Sequence, residues 1–325
     1  MAWLITPKRL KERGIVGMNA RNGLYVAEYN PRQRYPLVDD KVQTKRLAQQ
    51  AGLPVPALYG MIKTHHDIRN LSTLLDGHSS FVVKPARGSG GEGIIVINDR
   101  VDEALFRRAS GRTLSLDALE HHISNILSGA YSLGGLPDVA MLEKRVEFTD
   151  LFRDISYQGV PDIRIIVYRG YPAMAMIRLP TQQSDGKANL HQGAIGAGID
   201  LASGRTTAGV WENQAVKVHP DTGFTIVGHE IPGWSELLTL AAGCFELVGL
   251  GYLGVDIVLD RNQGPLILEL NARPGLAIQI ANRQGLKPRL DCIDVCVNDN
   301  PQASAYARSH WFEHYPEVLR GVVSR

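Results

Sequence analysis

Two apolar runs, Gly254 to Asp260 and Pro265 to Asn271, carry hard-oxygen side chains at alternating positions. Each run reads as a strand, and a turn over Arg261 to Gly264 makes them a hairpin in which Asp260 faces Pro265. Four residues further along each strand, Asp256 then faces Glu269. Side chains two apart share a face, so Asn271 joins the pair. Two carboxylates opposite one another repel unless a cation lies between them. Magnesium suits the set, because it takes oxygen ligands, keeps several waters and is commonly completed by substrate phosphates. Asp256, Glu269 and Asn271 are therefore candidate metal ligands; the alternative is a pair of half-exposed strands with solvated acids.

A second cluster lies earlier in the chain. Lys84 sits in the strand-like run Phe81 to Pro85, and Gly88, Ser89, Gly90, Gly91 and Gly93 follow, ahead of another strand-like run to Ile97. The spacing Gly88, Gly90, Gly93 matches a dinucleotide fingerprint, but that fingerprint needs a helix at its end, and here a strand continues. A flap over phosphates fits better, with backbone N–H groups approaching closely and Lys84 adding charge. Taken alone, an unliganded glycine-bearing hairpin explains the same residues. The sequence has no P-loop, and the motifs of a protein kinase are missing.

The elements that must position these groups can be read around them. A helix spans Asp39 to Ala51, stopped by Gly52, Pro54 and Pro56. Residues 101 to 130 have a helical pattern, Gly134 to Pro137 a loop, and Val139 to Val146 a strand. Strands follow near 164–168 and 173–179, then a polar loop from Thr181 to Gly193 and a helix over 235–249. Residues 1–38 read as a basic N-terminal arm, with Lys8, Arg9, Lys11, Arg13 and Arg21, and a helix start at Thr6-Pro7. The 325 residues, 44% of them hydrophobic, can bury a large core. A net charge of +2 gives no broad field for nucleic acid. Cys244, Cys292 and Cys296 fit buried, reduced thiols of a cytoplasmic protein. No stretch reads as a signal peptide or membrane span. His65-His66 and His121-His122 read as surface pairs.

Asp40-Lys41, Lys84 with its glycine loop, Met141 to Val146, Asp162-Ile163-Arg164, Asn189 to Gly193 and the Asp256/Glu269/Asn271 hairpin together resemble the ATP-grasp superfamily. The closest wording is that of the alpha-L-glutamate ligase-like group, related to the ribosomal-protein glutamate ligases and overlapping the sugar-transfer-associated ATP-grasp proteins. The resemblance runs from about Asp39 to Leu286. It implies an α+β fold, the ATP-grasp fold, in which two α+β lobes clasp a nucleotide. The ATP-grasp domain would cover 39–290, with a glycine-loop lobe over about 81–145 and a metal-binding lobe over about 146–290, followed by a C-terminal extension at 291–325. It further implies ATP with Mg2+, two ions, for which Mn2+ can substitute. Lys41, Lys84 and the glycine loop would hold phosphates, and Glu143, Lys144 and Val146 the adenine. Arg178, Asn189 and His191 would act at the transferring group.

The implied activity is that of an ATP-dependent, ADP-forming carboxylate–amine ligase working through an acyl phosphate. Its substrates would be an amino acid such as glutamate, or another carboxylate, and an amine acceptor on a peptide, protein or envelope precursor. Alternatives are a small-molecule kinase of the same fold, an ATP-binding scaffold and a nicotinamide-dependent oxidoreductase. Relatives carry a full α/β domain ahead of the region matching Asp40-Lys41, where this chain has some forty residues. A protein partner, a homo-oligomer or the basic arm would then complete the acceptor site. Trp311, Phe312 and Tyr315 in the C-terminal extension can pack on the core or on a partner.

Overall fold

The computed structural model describes residues 6–88, 90–149 and 155–319. Six strands, β1 (Leu58–Ile62), β2 (Phe81–Pro85), β3 (Ile95–Arg100), β4 (Leu105–Arg108), β5 (Thr113–Ser115) and β6 (Ala140–Lys144), form an antiparallel sheet. Their order is β1-β6-β2-β3-β4-β5. The helix Leu116–Leu127 covers it, burying Leu119, Ile123, Ile126 and Leu127 at helical spacing against Phe81, Val83 and Phe106. Seven further strands make the larger sheet: β7 (Asp162–Tyr168), β8 (Tyr171–Leu179), β9 (Ile195–Ile199), β10 (Thr206–Trp211), β11 (Gln214–Val216), β12 (Tyr252–Asp260) and β13 (Gly264–Asn271). The order is β11-β10-β9-β8-β7-β12-β13, again antiparallel. Helices Trp234–Val248, Ala277–Asn282 and Lys287–Asp299 pack on this sheet, and β12 is buried along its whole length. The architecture is α+β with two lobes.

The glycine loop does join two paired strands, β2 and β3. Residues 101–130 are not one helix: β4 and β5 precede it, turning at Gly111 (φ 81°). Phe106 is fully buried in that sheet, and the helix starts only where the Ser115 hydroxyl accepts the Ala118 N–H at 3.2 Å.

In the β12–β13 hairpin Asp256 does face Glu269, yet the turn differs from the expected one. Asp260 faces Gly264, and the turn has three residues, because the Asp260 carboxylate accepts the N–H groups of Asn262 and Gln263 (2.9 and 3.0 Å). A bulge then skips Leu268 and restores the register before Asp256.

From Gly14 onward the N-terminal segment is packed into the larger lobe. Thr6 caps the helix Pro7–Glu12, and a helical run over 18–29 brings Tyr25 against Tyr252 (5.8 Å, stacked) and Tyr168 (5.6 Å, edge-on). Asn30, 2% exposed, donates to the carbonyls of Tyr252 (2.7 Å) and Ala272 (2.9 Å) and accepts the Tyr252 N–H (2.8 Å). At the other end, Trp311 and Phe312 join the same core, and the Trp311 ring N–H donates to the Pro172 carbonyl at 2.7 Å. All three cysteines are free thiols.

Replacing Asn30 by Ala strands three buried backbone groups at once, each costing about 1–3 kcal/mol. We expect the unfolding free energy of Asn30→Ala to fall by at least about 3 kcal/mol in a urea titration followed by circular dichroism; a change below about 1 kcal/mol rejects the brace.

Candidate active site

Between the two sheets runs the helix Lys41–Gln50, which contacts β13 of the larger one and sends its lysines toward β2 and β6 of the smaller. The Asp40 carboxylate caps it by accepting the Val42 and Gln43 N–H groups (3.0 and 3.3 Å). Lys41, Thr44 and Lys45 fall on one helical face. The Lys41 ammonium donates to the Gly88 carbonyl at 2.5 Å. Deeper in, the Glu143 carboxylate of β6 receives Lys45 on one oxygen and Lys84 of β2 on the other, both at 2.6 Å. All three side chains are buried. Burial is the largest influence on Glu143 and acts to raise its pKa, but Lys84 and Lys45 together hold it below the ordinary carboxylate value. Burial in turn lowers the pKa of Lys45 against the pull of Glu143. The strain of the cluster falls on the lysine, since one carboxylate serves two ammonium groups.

The glycine loop is fastened at both ends. Asp138 accepts the Arg87 N–H (2.9 Å), the Ser132 hydroxyl (2.6 Å) and the Val139 N–H (2.7 Å). His122 contacts the Gly93 carbonyl at 2.8 Å, so one of the expected surface histidines is instead half-buried against the loop. A Cβ at Gly88 would lie 2.3 Å from Pro85, and one at Gly93 would lie 2.6 Å from the Tyr131 ring. Across the cleft, Asn189 donates to the Gly90 carbonyl at 3.0 Å.

The larger lobe presents Asp256, 3% exposed, on β12, between β7 and the edge strand β13. Arg164, its direct partner on β7, grips it with two bonds of 2.7 and 2.5 Å. Arg178 on β8 gives a third bond at 2.8 Å while pairing with Asp162. Asn271 lies 3.4 Å from the same carboxylate. Burial works to raise the Asp256 pKa, but Arg164 and Arg178 bring it down to about 2. Asp162 goes the other way, to about 6, through burial and the repulsion of Asp256, with Arg178 opposing.

The candidate residues thus divide. Lys41, Lys84 and Glu269 line one cleft together with Lys45 and Thr44. Asp256 and Asn271 adjoin Glu269 on the paired strands. Glu143 turns its side chain to the lysines, and the Lys144 N–H is taken by the Ala57 carbonyl at 2.8 Å. His191 is exposed, its N–H bonded to the Asn189 side chain. Gly91 stands beside Lys187, Val146 in the connection after β6, and Ser89 lies outside the described residues. Sequence reading passed over Lys45, Asp138 and the grip of Arg164 on Asp256. Lys45 was available as the residue one helical turn after Lys41. The pairing of Arg164 with Asp256 needed the β7–β12 register, which no local pattern supplies.

The opposed carboxylates do not rely on a metal for balance, since two guanidinium groups already neutralise Asp256. The donors still fit magnesium: they are all oxygen, and Glu269 faces the cleft. Among the described residues no three His, Cys, Asp or Glu side chains gather closely enough to hold a metal. An ion here would therefore draw further oxygens from phosphate or water.

Residues 20–295 match the sequence model of the sugar-transfer associated ATP-grasp family. A "Probable alpha-L-glutamate ligase" of Aeromonas salmonicida is 24% identical over 237 residues, covering 73% of this chain and 57% of that protein. A protein of the same description from Maridesulfovibrio salexigens is 23% identical over 239 residues, covering 73% of this chain and 56% of its own length. The chain thus spans little more than half the length of these relatives. Among solved structures, the D-alanine–D-alanine ligase of Bacillus anthracis complexed with ATP superposes with a TM-score of 0.44 at 14% identity, covering 88% of this chain and 69% of that one. With the family match extending over most of its length, the chain belongs to the sugar-transfer associated ATP-grasp family.

Proposed function

We propose that this chain binds ATP with Mg2+ between its two lobes and joins a carboxylate to an amine, forming an amide through an acyl phosphate. The observation that supports it most is the convergence of Lys41 and Lys45 from the helix Lys41–Gln50, Lys84 from β2 and Glu269 from β13 on one cleft. The triphosphate would lie along Lys41, Lys84 and the backbone of the glycine loop. The adenine would lie against the segment from Glu143 to Val146, where the Lys144 N–H is already bonded to the Ala57 carbonyl. Asp256, Glu269 and Asn271 would hold magnesium, which supplies charge neutralisation on the transferring phosphoryl group.

The substrate carboxylate attacks the γ-phosphorus, and the bond to the bridging oxygen of ADP breaks. The amine then adds to the acyl phosphate, loses a proton and expels inorganic phosphate. Alignment and charge balance are what this chemistry asks of the protein. Arg178 turns to the γ-phosphate while Arg164 keeps Asp256 paired, and Asn189 keeps the glycine loop closed over the nucleotide. Relatives described as "Probable alpha-L-glutamate ligase" support an amino acid such as glutamate as one substrate. A partner protein or second copy is proposed to complete the acceptor site. Use of ATP and three free thiols support a cytoplasmic setting.

The activity is tested by following ADP release across a panel of amino acids and carboxylates, with mass analysis of the product. An amide formed with stoichiometric phosphate is expected; a phosphorylated acceptor without free phosphate would replace the ligase reading with a kinase. Asp256→Asn and Glu269→Gln should each lower turnover by about 10²-fold or more. If metal-dependent nucleotide affinity and turnover survive both changes, the metal assignment is wrong.

Glu143→Gln tests the lysine clamp independently of substrate. Leaving two buried ammonium groups without their carboxylate should cost about 3–5 kcal/mol of stability. Nucleotide affinity, read by isothermal titration at a temperature where the variant is folded, should weaken because Lys84 loses its fixed place. Unchanged stability and affinity together would show the clamp to be inert.

A further inference from the structure

The helix Pro7–Glu12 buries none of its residues. Lys8, Arg9, Lys11 and Arg13, in it and directly after it, are all exposed. None of the four enters an ion pair among the described residues. Glu12 is the one acid from Thr6 to Arg13, so the stretch has a local excess of three positive charges in a chain whose net charge is +2. Apolar side chains are exposed in the same N-terminal segment: Leu10 at 37%, Met18 at 66% and Leu24 at 64%. In sequence, Trp3, Leu4 and Ile5 stand directly ahead of the helix.

The basic helix is held in place by the residues just after it. The Gly14 carbonyl accepts the Lys287 N–H at 3.0 Å, and Val16 exchanges two hydrogen bonds with the Gln279 side chain, 2.8 and 3.0 Å. Gly14 sits so close to Pro288 that a Cβ would approach to 2.6 Å. A charged helix that contributes no buried residue, yet is fastened through its next turn to the larger lobe, is a displayed surface.

We propose that this segment docks the protein on an anionic phospholipid membrane. The cations match the negative headgroups, and the exposed Leu10 among them, with Met18 and Leu24 in the helical run that follows, suits the depth at which acyl chains begin. A polyanion such as RNA would use the cations but leave those apolar side chains in water. Among the described residues no helix is long and apolar enough to cross a membrane, so the contact is made at the membrane surface. Each cation near an anionic leaflet strengthens partitioning about fivefold, which makes four of them worth several hundredfold.

The full chain is mixed with vesicles of phosphatidylcholine alone or containing about a third phosphatidylglycerol, and sedimented. Binding is expected only to the anionic vesicles, with its loss at about 0.5 M salt. Combined Lys8→Gln, Arg9→Gln, Lys11→Gln and Arg13→Gln should weaken it by about a hundredfold or more. Combined Leu10→Gln, Met18→Gln and Leu24→Gln should weaken it as well. All seven positions are exposed, and thermal melting of each variant checks that folding is retained. Failure of the parent chain to bind anionic vesicles overturns the proposal, as does equal binding to phosphatidylcholine or less than about threefold loss in the cation variant. A short single-stranded RNA bound more tightly than the vesicles, with the apolar variant unaffected, would assign the surface to nucleic acid instead.

Discussion

An ionised carboxylate buried within a sheet is tolerated only when its charge is met by fixed partners. Asp256 is such a group, and its partners come from neighbouring strands: Arg164 from β7, Arg178 from β8 and Asn271 from β13. Arg178 is itself shared with Asp162 on β7. Four adjacent strands are thereby tied to one side chain. Because successive side chains point to opposite faces, a one-residue slip in any of the three pairings would remove a partner and leave the charge exposed to an apolar face. The register of the larger sheet and the arrangement of the candidate metal site are therefore a single constraint.

The smaller lobe meets a related constraint with the opposite balance. Asp162 and Asp256 are offset by Arg164 and Arg178, so that group is close to neutral, whereas Glu143 alone faces Lys45 and Lys84 and leaves one positive charge in excess. Lys41 adds another at the cleft, and Glu269 faces it from the other side. The cleft thus has a cationic wall and an anionic wall. A phosphate chain carrying a divalent cation complements both, while neither a bare cation nor a bare anion does.

The range of each interaction decided how much of it could be read from the sequence. Alternation in two short apolar runs is local, so Asp256 opposite Glu269 was legible even though the turn was misjudged: the three-residue turn set by Asp260 and the bulge at Leu268 shift the register in opposite senses. The helix beginning after Asp40 was equally legible, because its cap is the adjacent residue. Strands β4 and β5 were hidden in a helical pattern since they are short and gain their stability from an edge of the sheet rather than from their own periodicity. The grip of Arg164 on Asp256 joins residues 92 positions apart and has no local signature.

The N-terminal segment shows how a stretch with little apolar patterning still becomes structure. Tyr25 supplies an aromatic face to Tyr168 and Tyr252, and Asn30 satisfies backbone groups where β12 begins and just beyond β13. Arg21 adds a bond of 3.0 Å to the Pro274 carbonyl, three residues past Asn271. The strands bearing Asp256 and Asn271 are thus braced by a segment that precedes them by more than two hundred residues. The bonds between Val16 and Gln279 continue that brace toward the basic helix. Packed side chains and hydrogen bonds thus run from the residues just after the basic helix to the loop after Asn271.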